Sequence, residues 1–146
     1  MTIISQPPHT LHRGVRAADL DRFDAHRAEP MPALDAVLAY ADAYRQLAGF
    51  LQERPDIAER AVVSDSGTVL MPAIPAEDPA AVIAGYARAA RAAGARLEPF
   101  VRESYAGIRC CWWLVGIEFY AATKQVCRQI VTGGETRYEL AAEVTP

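Results

Sequence analysis

Three side chains in this chain could begin a reaction: Asp65 in the run SDSG, Cys111 in RCCWW and His26 in DAHRA. A nucleophile needs a base within reach and a group to orient that base, and no His stands in a recognisable context near Ser64, Asp65 or Ser66. Those three residues have turn composition. His9 and His12 have the HxxH spacing of a metal pair, but they follow Pro7-Pro8 and lack a third ligand. Asp19, Asp21 and Asp24 lack the glycine and the downstream glutamate of a calcium loop, and are read as a solvated helix face. Cys110, Cys111 and Cys127 are odd in number and form no CxxC, so they are read as small apolar residues with neither a disulfide nor zinc. No catalytic set, cofactor or metal is expected.

The residues with recognition chemistry lie elsewhere, in Ile108 to Ala122, IRCCWWLVGIEFYAA. β-Branched and aromatic residues dominate both halves, and Gly116 punctuates them, which predicts a β-hairpin turning at Val115-Gly116. In that register Leu114 faces Ile117, Trp112 faces Phe119 and Cys110 faces Ala121, all on a core face. Arg109, Cys111, Trp113, Glu118 and Tyr120 then point to the other face, where aromatics meet both signs of charge. Either another element covers such a face or a partner does. Trp, Tyr and Arg are the residues that most often carry binding energy, so the expected partner-binding set is Arg109, Trp113, Glu118 and Tyr120. The alternative on the same face is single-stranded nucleic acid, with Arg102, Arg109 and Arg128 steering phosphates.

Two helices and two further hairpins must position that hairpin. Leu34, Val37, Leu38, Ala41, Tyr44, Leu47, Ala48 and Leu51 recur at three- and four-residue steps, predicting an amphipathic helix from about 32 to 53 that buries this stripe. Asp78 followed by Pro79 starts a second helix, which runs to about 93 and stops at Gly94. Ala61–Val63 and Thr68–Met71 flank a hairpin turn. Residues 126–131 and 136–141 flank another, at Thr132-Gly133-Gly134-Glu135, and 97–105 is read as a short extended link.

The expected fold is α+β, a mostly antiparallel sheet of β-hairpins packed on one face by the two amphipathic helices. Residues 31–141 form its single domain, 1–30 an N-terminal extension with a short helix near 16–28, and 142–146 a frayed tail.

At 146 residues and 51% hydrophobic, the chain is long enough for one domain with a real core. Net charge is −3, and 7 basic against 12 acidic groups in residues 1–87 give way to 8 against 6 beyond. That balance lacks the basic excess of a duplex-binding protein. The N-terminus MTIISQPPHT does not read as a signal peptide, and no apolar run reaches the ~20 residues of a membrane span. A cytoplasmic protein is expected.

LAGFLQERPDI at 47–57, the Ala-rich helix closing on Gly94, the hairpin around Gly116 and VCRQIVTGGETRYEL at 126–140 together resemble small actinobacterial and actinophage accessory proteins of unassigned function. The resemblance covers roughly residues 44–140, and its motifs are structural rather than chemical. It implies an accessory or mobile-element protein and supplies no catalytic residues. The chain is therefore read as a non-enzymatic protein-interaction module binding another protein or itself through the aromatic sheet face. Single-stranded nucleic-acid binding is the alternative, and an enzyme built on Asp65, Cys111 or His26 ranks last.

Overall fold

The computed structural model describes residues 33–146. His9, His12, His26, the three aspartates at 19–24 and the helix expected near 16–28 lie outside the described residues. Helix α1 spans Ala33–Glu53, followed by the short α2 at Pro55–Ala58. Strands β1 (Val62–Val63) and β2 (Val69–Pro72) pair antiparallel across the Ser64–Thr68 turn, as expected. Helix α3 runs Pro79–Ala92, and its first turn is held by Asp78, whose side chain accepts from the Ala81 N–H at 3.0 Å.

Strands β3 (Arg96–Val101), β4 (Tyr105–Trp112) and β5 (Val115–Ala122) complete a five-stranded sheet in the order β1-β2-β5-β4-β3. The sheet is mixed. β2 runs parallel to β5, and the other pairs are antiparallel, so the fold is α+β with a mostly antiparallel sheet. A four-residue helix, α4 (Thr123–Val126), leads into β6 (Cys127–Thr132) and β7 (Glu135–Leu140), which pair as a separate two-stranded sheet.

Several expectations are corrected. The central hairpin turns at Trp113-Leu114, so Trp112 faces Val115 and Cys110 faces Ile117. Gly116 is needed within the strand instead: a Cβ there would stand 2.6 Å from the Cys110 carbonyl oxygen. Trp113 takes the turn's positive φ of 53°, a conformation that bulky residues seldom adopt. The change moves Trp112's partner by four residues. An even shift leaves every side chain on its face, and Trp112, Cys110, Phe119 and Ala121 are all buried. Residues 97–105 are not a link, since 96–101 form edge strand β3, where a proline such as Pro99 is tolerated. Where a frayed tail was expected at 142–146, Ala142–Val144 make a 3-10 turn whose Val144 is fully buried.

The core lies between one sheet face and the helices. Phe50 packs on Trp112 with ring centroids 5.3 Å apart, Tyr86 packs on Phe119 at 5.3 Å, and the Trp112 indole N–H donates to the Ala93 carbonyl at 2.9 Å. α3 buries Ile83, Ala84, Ala87 and Ala90, its small residues allowing close approach. α1 is turned differently from its apolar periodicity. It buries Ala43, Leu47 and Phe50, while Leu34, Val37 and Leu38 are 69%, 64% and 57% exposed.

Candidate sheet-face interaction site

Alternation along β3, β4 and β5 sends Phe100, Tyr105, Gly107, Arg109, Cys111, Glu118 and Tyr120 to the sheet face opposite the core. Gly107 sits in the middle. A Cβ there would fall 1.9 Å from the Phe119 carbonyl oxygen, so β5 approaches β4 here more closely than any side chain permits. Around it the rings gather: Phe100 meets Tyr105 edge-on at 6.1 Å, and Tyr105 meets Tyr120 at 5.4 Å.

Arg102, just beyond β3, is held by the turn into β4. Its N–H donates to the Tyr105 carbonyl at 2.9 Å, and its own carbonyl accepts from the hydroxyl of the buried Thr123 at 2.8 Å. From there its guanidinium reaches over the sheet. Nη1 and Nη2 donate to the two carboxylate oxygens of Glu118 at 3.2 and 3.1 Å, and Nη1 also donates to the Tyr105 hydroxyl at 2.7 Å. The same group lies over the Phe100 and Tyr105 rings at 4.7 and 4.9 Å from their centroids. Partial burial opposes its charge, but Glu118 and then Tyr105 outweigh that and raise its pKa. Glu118 is only 4% exposed, so this bidentate partner is what makes its burial tolerable.

Arg109 is placed differently. It stands directly opposite Glu118 in the β4–β5 register, half-buried, and among the described residues it makes no ion pair or hydrogen bond. Its Nε is buried with no acceptor. A buried donor without an acceptor carries a desolvation cost, which a suitably placed acceptor would remove.

Of the expected partner-binding set, the structure brings Arg109, Glu118 and Tyr120 together on this face. Trp113 lies apart, in the hairpin turn, where its indole meets Tyr40 of α1 edge-on at 6.2 Å. Of the arginines in the nucleic-acid alternative, Arg102 is engaged by Glu118, and Arg128 is on β6, paired with Glu139 at 3.4 Å. Phe100 was missed because Pro99 made β3 look like a link, and Tyr105 because that link was carried through to the first residue of β4. The signal for Phe100 was the alternation of Glu98 and Phe100 with Leu97 and Pro99, readable once Pro99 is placed on a sheet edge.

Burial pushes the Cys111 thiol up to about 11 and the Cys110 thiol to about 12, so neither offers a thiolate near neutral pH. Ser64 and Ser66 bond one another at 2.9 Å, and the Ser64 hydroxyl accepts from the Thr68 N–H at 3.1 Å, closing the β1–β2 turn. Among the described residues no three His, Cys, Asp or Glu side chains cluster as metal ligands, and no helix is long and apolar enough to cross a membrane. Comparison with family models, with curated proteins and with solved structures finds no match to this chain.

Proposed function

We propose that the protein is a non-enzymatic interaction module that takes a protein partner on the outer face of the five-stranded sheet, with Tyr105 and Tyr120 as the aromatic floor and Arg109 as the charged contact. The observation that carries this is the half-buried Arg109, left without an acceptor although a carboxylate stands directly opposite it. Glu118 is already committed to Arg102, so a carboxylate from a partner would meet Arg109 at the accessible end of its guanidinium, beyond the buried Nε. Arginine beside tyrosine is a common hot-spot composition, and rings that already contact one another lose little freedom on binding.

The engagement of Arg102 and Arg128 by glutamates favours a protein partner over a nucleic-acid strand, which would need those cations for phosphates. The cytoplasmic setting expected from the sequence and the accessory or mobile-element role implied by the resemblance belong to the same proposal. The test is capture of a partner from nuclease-treated host lysate by the wild type and by an Arg109→Gln, Tyr120→Ala variant. Capture lost in a variant that still unfolds cooperatively supports the proposal, and capture that vanishes with nuclease contradicts it.

A further inference from the structure

Along α1 the residues Leu34, Val37, Ala41, Tyr44, Ala48 and Leu51 follow one another at alternating steps of three and four. This is the a/d spacing of a helix that packs against another helix. None of the six is fully buried, and Leu34, Val37 and Tyr44 are exposed. The face α1 gives to its own core, Ala43, Leu47 and Phe50, lies roughly a third of a turn around the helix. α1 thus carries two apolar faces: the described fold buries one, and of the other it engages only Leu51, which packs against the core, and Tyr44, whose ring meets Tyr40. A contiguous apolar face of this kind on a domain surface marks an interaction site.

We infer that this face pairs with the same face of a second copy of the chain, the two α1 helices lying antiparallel about a two-fold axis near Asp42 and Ala43. The sequence is self-complementary about that point. Val37 of one copy meets Ala48 of the other and Ala41 meets Tyr44, so in these pairs a large side chain faces a small one, while at the two ends Leu34 meets Leu51. An in-register parallel pair would instead set Tyr44 on Tyr44 and Ala41 on Ala41, leaving both crowding and a gap.

Shape agrees at the ends. Leu51, Gln52, Pro55, Ala58 and Glu59 line an open hollow at the C-terminal end of α1, where the antiparallel arrangement delivers Leu34 of the second copy. Charge agrees near the centre. Arg45 flanks the stripe on the same side as Asp42, and in a two-fold antiparallel pair each Arg45 comes within reach of the Asp42 of the other copy, giving two symmetric ion pairs. Such an interface is isologous and closes at two copies. It leaves the outer sheet face free, so it stands independently of the function proposed above.

The test is sedimentation equilibrium on the full chain, which is expected to be dimeric at about 10 µM. Val37→Glu with Leu38→Glu places charge on exposed positions and should weaken the dimer by roughly a hundredfold or more, with helix content and thermal unfolding of the monomer unchanged. Arg45→Asp should weaken it about tenfold, and Asp42→Arg combined with Arg45→Asp should recover most of that loss. A wild type still monomeric at about 100 µM overturns the inference. So does a dimer indifferent to the glutamates. A glutamate variant that unfolds would assign the face to a segment of the same chain, such as residues 1–31, and would also overturn it. Failure of the charge swap to recover dimerisation rules out the antiparallel arrangement.

Discussion

Arg109 and Glu118 face one another as paired residues of adjacent strands, yet both oxygens of the Glu118 carboxylate are taken by Arg102 from beyond the end of β3. Sheet alternation put Arg109 and Glu118 together, and the β3–β4 turn then supplied the competing cation. One arginine stabilises the buried carboxylate while the other stands opposite it in reserve. Replacing them should separate the two roles.

Arg102→Gln removes the partner of a buried carboxylate and is expected to cost roughly 1–2 kcal/mol, below the full penalty for a buried pair because Arg102 is half-exposed and Arg109 can swing across. Arg109→Gln alone should change stability by no more than about 0.5 kcal/mol. The double variant should lose more than the two singles combined, because the reserve is then gone as well. Urea unfolding of the four proteins measures all three values.

Gly107→Ala forces a methyl group into the Phe119 carbonyl and should destabilise the fold by about 3 kcal/mol or more, if it folds at all. Gly85, in the middle of α3, has only the Arg88 side chain nearby, at 3.9 Å, and Gly85→Ala should stabilise by about 0.5–1 kcal/mol through helix propensity. Thermal unfolding of the two variants should move in opposite directions.

The neighbouring tryptophans should behave unlike one another. Trp112→Ala opens a cavity against Phe50 and frees the Ala93 carbonyl, costing about 3–5 kcal/mol. Trp113→Gly relieves a positive φ while giving up the contact with Tyr40, and these offset to within about 1 kcal/mol. A Trp113→Gly variant as unstable as Trp112→Ala in denaturant titration would mean that the turn indole is a core residue.

Much of this fold was legible because its signals are local. Asp78-Pro79 and Gly94 bracket α3, and turn residues mark the hairpins at Ser64–Thr68 and Thr132–Glu135. The faces of the central hairpin survived a wrong register because the slip was even. The parallel pairing of β2 with β5 was not legible, since it joins Val69 to Ile117 with a helix and two strands between them. Nor was the buried face of α1. An apolar stripe shows that a face wants covering, not by what, and here the alanine side with Leu47 and Phe50 meets the core. Of the outer sheet face, Arg109, Glu118 and Tyr120 were readable from alternation, whereas Phe100 depended on recognising an edge strand that contains proline, and Tyr105 on starting β4 three residues earlier than Ile108.

Burial raises the folded-state pKa of Cys110 to about 12 and of Cys111 to about 11, from an ordinary value of 9.0. A group whose folded pKa lies above its unfolded value stabilises fully below the unfolded value and loses that contribution as pH rises through the folded one. Stability should therefore hold up to about pH 9 and fall between about pH 9 and 12 as the unfolded thiols ionise first. At pH 8 a disulfide reagent should label Cys127, which is partly exposed, and reach Cys110 and Cys111 only after denaturant is added.

Partner capture tests the central claim most directly. Tagged wild type, Arg109→Gln with Tyr120→Ala, and Arg102→Gln are each offered to nuclease-treated lysate of the native host, with folding of every variant checked by cooperative unfolding. The expected result is a discrete protein captured by the wild type, lost when Arg109 and Tyr120 are changed together, and weakened less by Arg102→Gln. Undiminished capture by a folded Arg109→Gln, Tyr120→Ala protein would contradict the assignment of the outer sheet face as the binding site.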